Sequence, residues 1–475
     1  MAPISGSSLT SKPASILFDS SHPIKSLSIG FWLWKALVFV IVISSPGLGY
    51  DSSTSLLPFQ GNGSVDVVSF GDTKHASLPI PLKFVRWDSI YFEHIARDGY
   101  IFEQEWAFSS VYSSLVNFVS SFFAPSDDSS KATRFAVTAV ALSHVAHYFS
   151  VLALYRLSVN VFGQATKRRK LLCFLSAALH IISPAGAFLS APYGEPLFSF
   201  LNITGFYIYS SSGIELSRGR QSLSHVKLLL SGCFFAAGTF IRSNGILSGI
   251  LLAYDALKLS YEIVSRRPSI ATLVRLGFVG LTGCIVALGL FVPQYIAYTT
   301  YCTAESNPRP WCQSLLPSIY GWVQDHYWGV GFLRYWTVSN VPLFLLAAPM
   351  LAILFVSSIW AFGVETSLAS TKSSPEGSSG SSPDPASSLL TQLAIAQFVL
   401  AAMALTSYHV QIINRISSGY PLWYWFLAWH GLGSSEGGQE KSPGNNKTYF
   451  LLIVQVMVIY ALVQAVLFGS FLPPA

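Results

Sequence analysis

Apolar residues in this chain come in long unbroken runs rather than in alternation. The clearest runs are 31–50, 135–155, 171–189, 197–209, 276–295, 341–362, 393–408 and 450–471. Most of them approach the ~20 residues that carry a helix across a bilayer. A backbone in hydrocarbon must satisfy its own hydrogen bonds, so only helices or closed barrels span; the lack of alternation leaves helices. The pattern predicts an all-α polytopic membrane protein with about ten or eleven crossings. A further run, 228–257, is interrupted by Arg242-Ser243-Asn244-Gly245. Either it is two short helices broken at that tetrapeptide, or it is one buried helix.

Charge decides between those readings and sets the orientation. The connection 156–170 carries Arg156, Lys167, Arg168, Arg169 and Lys170 and no acid, which marks it as cytosolic. Arg218, Arg220 and Lys227 mark the next cytosolic connection, and Lys258, Arg266, Arg267 and Arg275 the one after. Two cytosolic connections need an even number of crossings between them, so parity favours the break at Arg242. It also puts the segments 51–106 and 301–340 on the luminal side. Asn62-Gly63-Ser64 in the first of these is an acceptor sequon. Cys302 and Cys312 share the second, where a bridge competes with two free thiols. The expected layout is a cytosolic tail 1–27 and a transmembrane catalytic region 28–363 with those two luminal loops. A disordered Ser-rich cytosolic linker 364–390 and a C-terminal transmembrane region 391–475 follow. No convincing signal-peptide cleavage pattern precedes the first run, so it reads as an uncleaved anchor.

Only 11% of the 475 residues are charged and 51% are hydrophobic. Yet Arg86, Asp88, Glu93, Arg97, Asp98, Glu103 and Glu105 crowd into one stretch, with Trp87, Tyr91 and Trp106 among them. The net charge of +6 is spread in short clusters between apolar runs, which suits membrane orientation and not nucleic-acid binding. The five cysteines show no metal-type spacing. His144 and His147, one turn apart in an apolar run, read as packed residues and not as ligands. By parity, Asp88/Glu103/Glu105, Tyr193/Glu195, Arg242/Asn244, Arg309/Trp311 and His409/Gln411/Asn414/Arg415 all face the lumen. Each cluster alone reads as a solvated helix end; five on one face read as a site.

A carboxylate within hydrogen-bond reach can take a proton from a hydroxyl. Arg and His can stabilise a phosphate leaving group. Trp87, Tyr91, Trp106, Trp311 and Trp322 suit sugar stacking, or else an interfacial belt. No Gly-rich phosphate loop is present, and the one adjacent acidic pair, Asp127-Asp128, lies in a Ser-rich turn. Together these suggest glycosyl transfer from a lipid phosphate. A polytopic lipid or solute transporter would instead place ionisable groups at the midplane of related repeats. A membrane acyltransferase would want a deep catalytic His such as His180.

Several motifs carry a family resemblance, in order along the chain. They are Arg86-Trp87-Asp88 with Tyr91-Phe92, Ile95-Ala96, Gly99-Tyr100, and Glu103-Gln104-Glu105-Trp106-Ala107-Phe108. Ser183-Pro184-Ala185, Tyr193-Gly194-Glu195, Arg242-Ser243-Asn244-Gly245, Pro310-Trp311-Cys312, His409-Val410-Gln411 with Asn414-Arg415, and Tyr424-Trp425 follow. With these the chain resembles the GPI mannosyltransferase 2 family, class V of phosphatidylinositol-glycan biosynthesis. It departs from the family at Gly194, often Ser, and at Ser183-Pro184, often Asn-Pro.

The resemblance implies a GT-C type transmembrane bundle in the endoplasmic-reticulum membrane, with a luminal active site. Its donor would be dolichol-phosphate-mannose and its acceptor the GPI precursor lipid, which receives a second mannose in α-1,6 linkage with inversion. Another dolichol-phosphate-sugar-dependent transferase of this type is the nearest alternative. No resident cofactor or metal is implied, and some members work with a small membrane partner subunit. On this reading Asp88 is the base, with Glu103 and Glu105 orienting groups, either of which could be the base instead. Arg86, Trp87, Tyr91, Tyr193, Glu195, Asn244, Trp311, Gln411 and Asn414 would line the substrates. Arg242, His409 and Arg415 would face the dolichyl phosphate.

Overall fold

Helices form wherever the apolar runs predict them, and no strand occurs among the described residues. The structure is a computed structural model. It describes residues 22–46, 80–123, 131–265, 269–303, 309–370, 385–433 and 443–472. The sequon at Asn62 and most of the expected 1–27 tail fall outside them.

The order is α1 (Pro23–Ser44), α2 (Ser89–Asp98), α3 (Ser110–Ser121), α4 (Lys131–Phe162), α5 (Lys167–Ile181), α6 (Gly194–Ser217), α7 (Gln221–Ile241) and α8 (Gly249–Ser265). Next come α9 (Ile270–Tyr298), α10 (Ile319–His326), α11 (Val341–Ser370), α12 (Pro385–Ser407), α13 (Ile413–Ile416), α14 (Leu422–Gly431) and α15 (Pro443–Gly469). Among the described residues, seven helices are long and apolar enough to cross a membrane: α1, α4, α7, α9, α11, α12 and α15. α5, with 15 residues, is too short for that measure, and polar side chains dilute α6. Both lie largely inside the bundle, with Ser176, His180, Ser199 and Asn202 fully buried. Their apolar surface meets other helices, so neither presents a continuous lipid face.

The run 228–257 divides at Arg242, which takes an extended conformation (φ −146°, ψ 125°) and ends α7. A short 3-10 turn, Ser243–Ser248, follows before α8 begins. Only glycine fits at Gly245. A Cβ there would lie 2.7 Å from the Thr239 amide nitrogen and 2.9 Å from the Gly238 carbonyl carbon. These are backbone atoms, which cannot step aside.

The connecting segments gather at two ends of the bundle. At one end, the Lys83 ammonium donates to the Ile43 carbonyl at 2.6 Å, and the Ser109 hydroxyl to the Phe240 carbonyl at 2.8 Å. At the same end, the Leu333 amide donates to the Thr406 carbonyl at 2.6 Å. All five polar clusters named from the sequence lie on segments of this end. The opposite end is basic. There Arg168 donates to the Gly433 carbonyl, and Glu215 pairs with Arg220 at 2.9 Å and Lys227 at 2.8 Å.

Lys35, in the middle of α1, is buried and donates to the Leu189 carbonyl at 2.7 Å and to Ser190 Oγ at 2.9 Å. A charge in hydrocarbon needs such partners. The composition of 364–390 suggested a linker, but helix occupies both of its flanks. α11 runs to Ser370 and α12 starts at Pro385. A helix already nucleated in α11 adds one hydrogen bond per further residue, and Pro at a first turn lacks only a donor that has no helical partner. Residues 371–384 of that segment lie outside the described residues.

α7 and α9 cross at Gly289, where a Cβ would lie 2.6 Å from the Ala236 carbonyl oxygen and 2.7 Å from Thr239 Cβ. Small residues let membrane helices approach this closely. Gly289→Val is expected to cost about 1–3 kcal/mol by overpacking. Thermal unfolding in detergent micelles, compared with the wild type, measures it.

Candidate active site

A charge taken out of water demands partners, and the site end is organised around one such charge. Glu195 sits in the first turn of α6, wholly buried. Its Oε1 receives Arg415 Nε at 2.7 Å, Arg415 Nη2 at 2.6 Å and Arg242 Nη1 at 2.8 Å. Arg242 comes from the break between α7 and α8, and Arg415 from α13. The Arg415 guanidinium also lies 4.1 Å over the Phe188 ring and 4.9 Å over the Tyr193 ring. Its remaining face reaches Asp88, with Nη1 and Nη2 both 3.3 Å from Oδ2. Four residues distant in sequence thus form the chain Arg242–Glu195–Arg415–Asp88.

Asp88 is the exposed member, with 39% of its side chain open. It precedes α2 without capping it, so the carboxylate is left for other work. Among the described residues only its Oδ2 is engaged. Its neighbour Trp87 has a left-handed backbone (φ 55°), which costs a non-glycine residue about 1–3 kcal/mol. The turn holding it is braced on both sides. The Tyr193 hydroxyl donates to the Arg86 carbonyl at 2.8 Å. The Trp87 ring packs edge-on at 5.0 Å against Phe471, whose ring also lies 4.6 Å from the Arg86 guanidinium.

Glu103 and Glu105 stand elsewhere and have different surroundings. Glu105 is buried. Its Oε2 accepts the Ile101 and Phe102 amides at 2.8 and 2.9 Å, and its Oε1 meets His94 Nδ1. Glu103 collects three aromatic donors: Trp311 Nε1 at 2.9 Å, Trp322 Nε1 at 3.2 Å and the Tyr327 hydroxyl at 3.2 Å. These two carboxylates stitch the 80–123 segment to itself and to the segment carrying α10. Cys302 and Cys312, which close that segment's base, are bridged.

The other residues named from the sequence divide in the same way. Tyr91 stacks on Phe108 at 4.5 Å. Asn244 is buried, donating to the Tyr420 hydroxyl at 3.3 Å while its carbonyl accepts that hydroxyl at 2.9 Å. Asn414 donates to the Tyr460 hydroxyl at 3.1 Å. Gln411 accepts from the Tyr335 hydroxyl at 3.3 Å, and His409 packs edge-on against that ring at 5.0 Å. Burial holds the His409 imidazole below its ordinary range; Asp88 opposes this and Arg415 adds to it. At neutral pH His409 is therefore an uncharged hydrogen-bonding group. Phe188, Tyr335 and Phe471 support the site without having been named from the sequence. Each is an ordinary apolar or aromatic residue in its own segment, and only contact across the fold gives it a role. Among the described residues, no three His, Cys, Asp or Glu side chains converge to hold a metal ion.

The arrangement offers one half-exposed carboxylate beside two guanidinium groups fixed by a buried acid. It can accept a proton on Asp88 and steady a developing anion with Arg242 and Arg415.

The family model described as "Mannosyltransferase (PIG-V)" matches residues 31–475. A relative from Aspergillus oryzae named GPI mannosyltransferase 2 is 53% identical over 459 residues, covering 97% of this chain and 98% of its own. A relative of the same name from Aspergillus fumigatus is 49% identical over 477 residues, covering 100% of this chain and 99% of its own. Among solved structures, the archaeal oligosaccharyltransferase AglB from Archaeoglobus fulgidus, in complex with an inhibitory peptide and a dolichol-phosphate, aligns with a TM-score of 0.44 at 11% identity. That alignment covers 93% of this chain and 56% of AglB, so the chain spans about half of its length.

Two expectations follow from the geometry. Glu195→Gln leaves two mostly buried guanidinium groups without their acid, at a cost on the order of 3 kcal/mol; chemical unfolding of the purified variant reads it. His409 binds a proton less readily folded than unfolded, so its contribution to stability is fully present above the unfolded value of ~6.5 and is lost as pH falls from there through the lower folded value. His409→Asn is expected to flatten that part of the curve of melting temperature against pH, measured as a difference from the wild type.

Proposed function

The chain belongs to the PIG-V mannosyltransferase family, and on that premise we propose that it transfers mannose from dolichol-phosphate-mannose to the GPI precursor. The mannose added is the second one, in α-1,6 linkage, and the site faces the lumen of the endoplasmic reticulum. The observation that carries this reading is the pairing of half-exposed Asp88 with Arg415, itself held by buried Glu195. A lipid-phosphate donor suits two anchored guanidinium groups, because each can hydrogen-bond a phosphate oxygen as charge builds.

The reaction is a single displacement. The acceptor 6-hydroxyl gives its proton to Asp88 Oδ1 as its oxygen forms a bond to C1 of mannose. The bond between C1 and the phosphate oxygen breaks, and dolichyl phosphate leaves with the electron pair. Attack from the face opposite the phosphate turns the β-linked donor into an α-linked product, and no covalent intermediate is needed. Arg415 and Arg242 meet the leaving phosphate, while uncharged His409 contributes a hydrogen bond without adding charge. Asp88 is preferred as base over Glu105 because both oxygens of Glu105 are already engaged. It is preferred over Glu103 because that carboxylate is spent on three aromatic donors.

The luminal assignment is supported by the basic character of the opposite end and by the Cys302–Cys312 bridge, which suits an oxidising compartment. The test is Asp88→Asn expressed in cells lacking the endogenous enzyme. Loss of a general base lowers turnover by roughly 10²-fold or more, so a GPI intermediate with one mannose accumulates and surface GPI-anchored proteins fall. Normal surface display at normal expression overturns the assignment.

A further inference from the structure

The site end also holds an open recess that Asp88 does not line. It measures about 380 Å³ and lies between α10, the turn around Val330 and the end of α12. α10 has two faces. Ile319 and Val323 are buried in a small apolar cluster with Trp311, and Trp322 on that side reaches Glu103. Tyr320 and Gln324, one turn apart on the other side, line the cavity with Asp325, Arg334, Ser407 and Tyr408. Asp325 and Arg334 pair with each other. The Gln324 amide and the Tyr320 hydroxyl make no hydrogen bond among the described residues.

Both walls adjoin residues of the candidate site along the chain. Tyr408 directly precedes His409. Arg334 directly precedes Tyr335, whose ring packs on His409 and whose hydroxyl bonds Gln411. We infer that this cavity is a glycan subsite, holding a pyranose ring of the acceptor next to the sugar whose hydroxyl Asp88 deprotonates. The inference rests on the proposed mannosyl transfer.

The chemistry of the walls selects the ligand class. A pyranose presents hydroxyls that donate and accept, which an amide, a carboxylate and phenols can meet. It also presents C–H faces that lie against aromatic rings such as those of Tyr320 and Tyr408. The volume falls in the range of small-molecule sites. A second phosphate fits less well, because Arg334 already has its acid in Asp325. An acyl chain fits less well, because it would strand the Gln324 amide away from water.

The test uses the full-length protein in lipid nanodiscs, with dolichol-phosphate-mannose and a short-chain acceptor glycolipid carrying one mannose. Gln324→Leu and Tyr320→Leu are each expected to raise the acceptor KM about tenfold, the effect of losing one buried hydrogen bond to a hydroxyl. The donor KM and the melting temperature stay as in the wild type. An unchanged acceptor KM in both variants overturns the subsite, and so does a parallel rise in the donor KM. Saturation-transfer NMR with the water-soluble glycan headgroup of that acceptor, on the same samples without donor, reads binding without turnover. Its signal is expected to weaken in both variants, and an unaltered signal overturns the inference. Failure of mannosyl transfer itself would show differently, as a wild-type protein that binds the saccharide and turns nothing over.

Discussion

Everything at the site end answers to the burial of one carboxylate. Glu195 has no water around it, so the fold must bring positive charge to it or forfeit several kcal/mol. Two arginines supply that charge, and they come from breaks in helices that would otherwise run on. Arg242 stands where α7 gives way to α8, and Arg415 lies in the irregular stretch between α12 and α14. A buried acid thus specifies which helix breaks must meet, and where. The interaction is strong where it is dry and weak where it is wet. Glu195 and its arginines are fixed, while the Arg415–Asp88 contact at 3.3 Å involves an exposed partner and contributes little to stability. That gradient suits a group that must release its arginine to a substrate.

The carboxylates of this end divide the labour of holding and reacting. Glu105 satisfies two backbone amides, and Glu103 gathers two indoles and a phenol. Both convert acidic residues in a charge-rich stretch into architecture. Through Glu103, the segment bearing Asp88 is tied to the segment bearing α10. The aromatic ladder adds to this, with Tyr91 stacked on Phe108 and Phe108 edge-on to Trp328 at 5.7 Å. Asp88 alone among the three keeps an oxygen free of protein partners.

Much of this was legible in the sequence, because hydropathy and charge are local signals. The apolar runs became helices, and charge parity located the break at Arg242 from loop composition alone. The same parity sent the five polar clusters to one end, where the structure gathers them. The roles of the acids were not legible. Glu103 and Glu105 look like Asp88 in the sequence, and they differ only in partners; those of Glu103 lie some two hundred positions away. α10 was hidden inside what reads as a polar loop, because eight residues with a glycine and two aromatics give no clear period. The helical flanks of the Ser-rich segment were missed for the opposite reason, since composition there outweighed the pull of helices already formed. Phe471 left no trace at all.

That last residue says something about how the protein is made. The turn at Trp87 and Asp88 lies between α1 and α2, yet one of the two rings that brace it follows α15. Without α15 in place, the strained turn has only its Tyr193 brace. The turn beneath Asp88 therefore gains its second brace only when α15 docks against α1 and the 186–189 turn. A chain lacking α15 and Phe471 would carry Asp88, both arginines and Glu195, and would hold the Asp88 turn from one side alone.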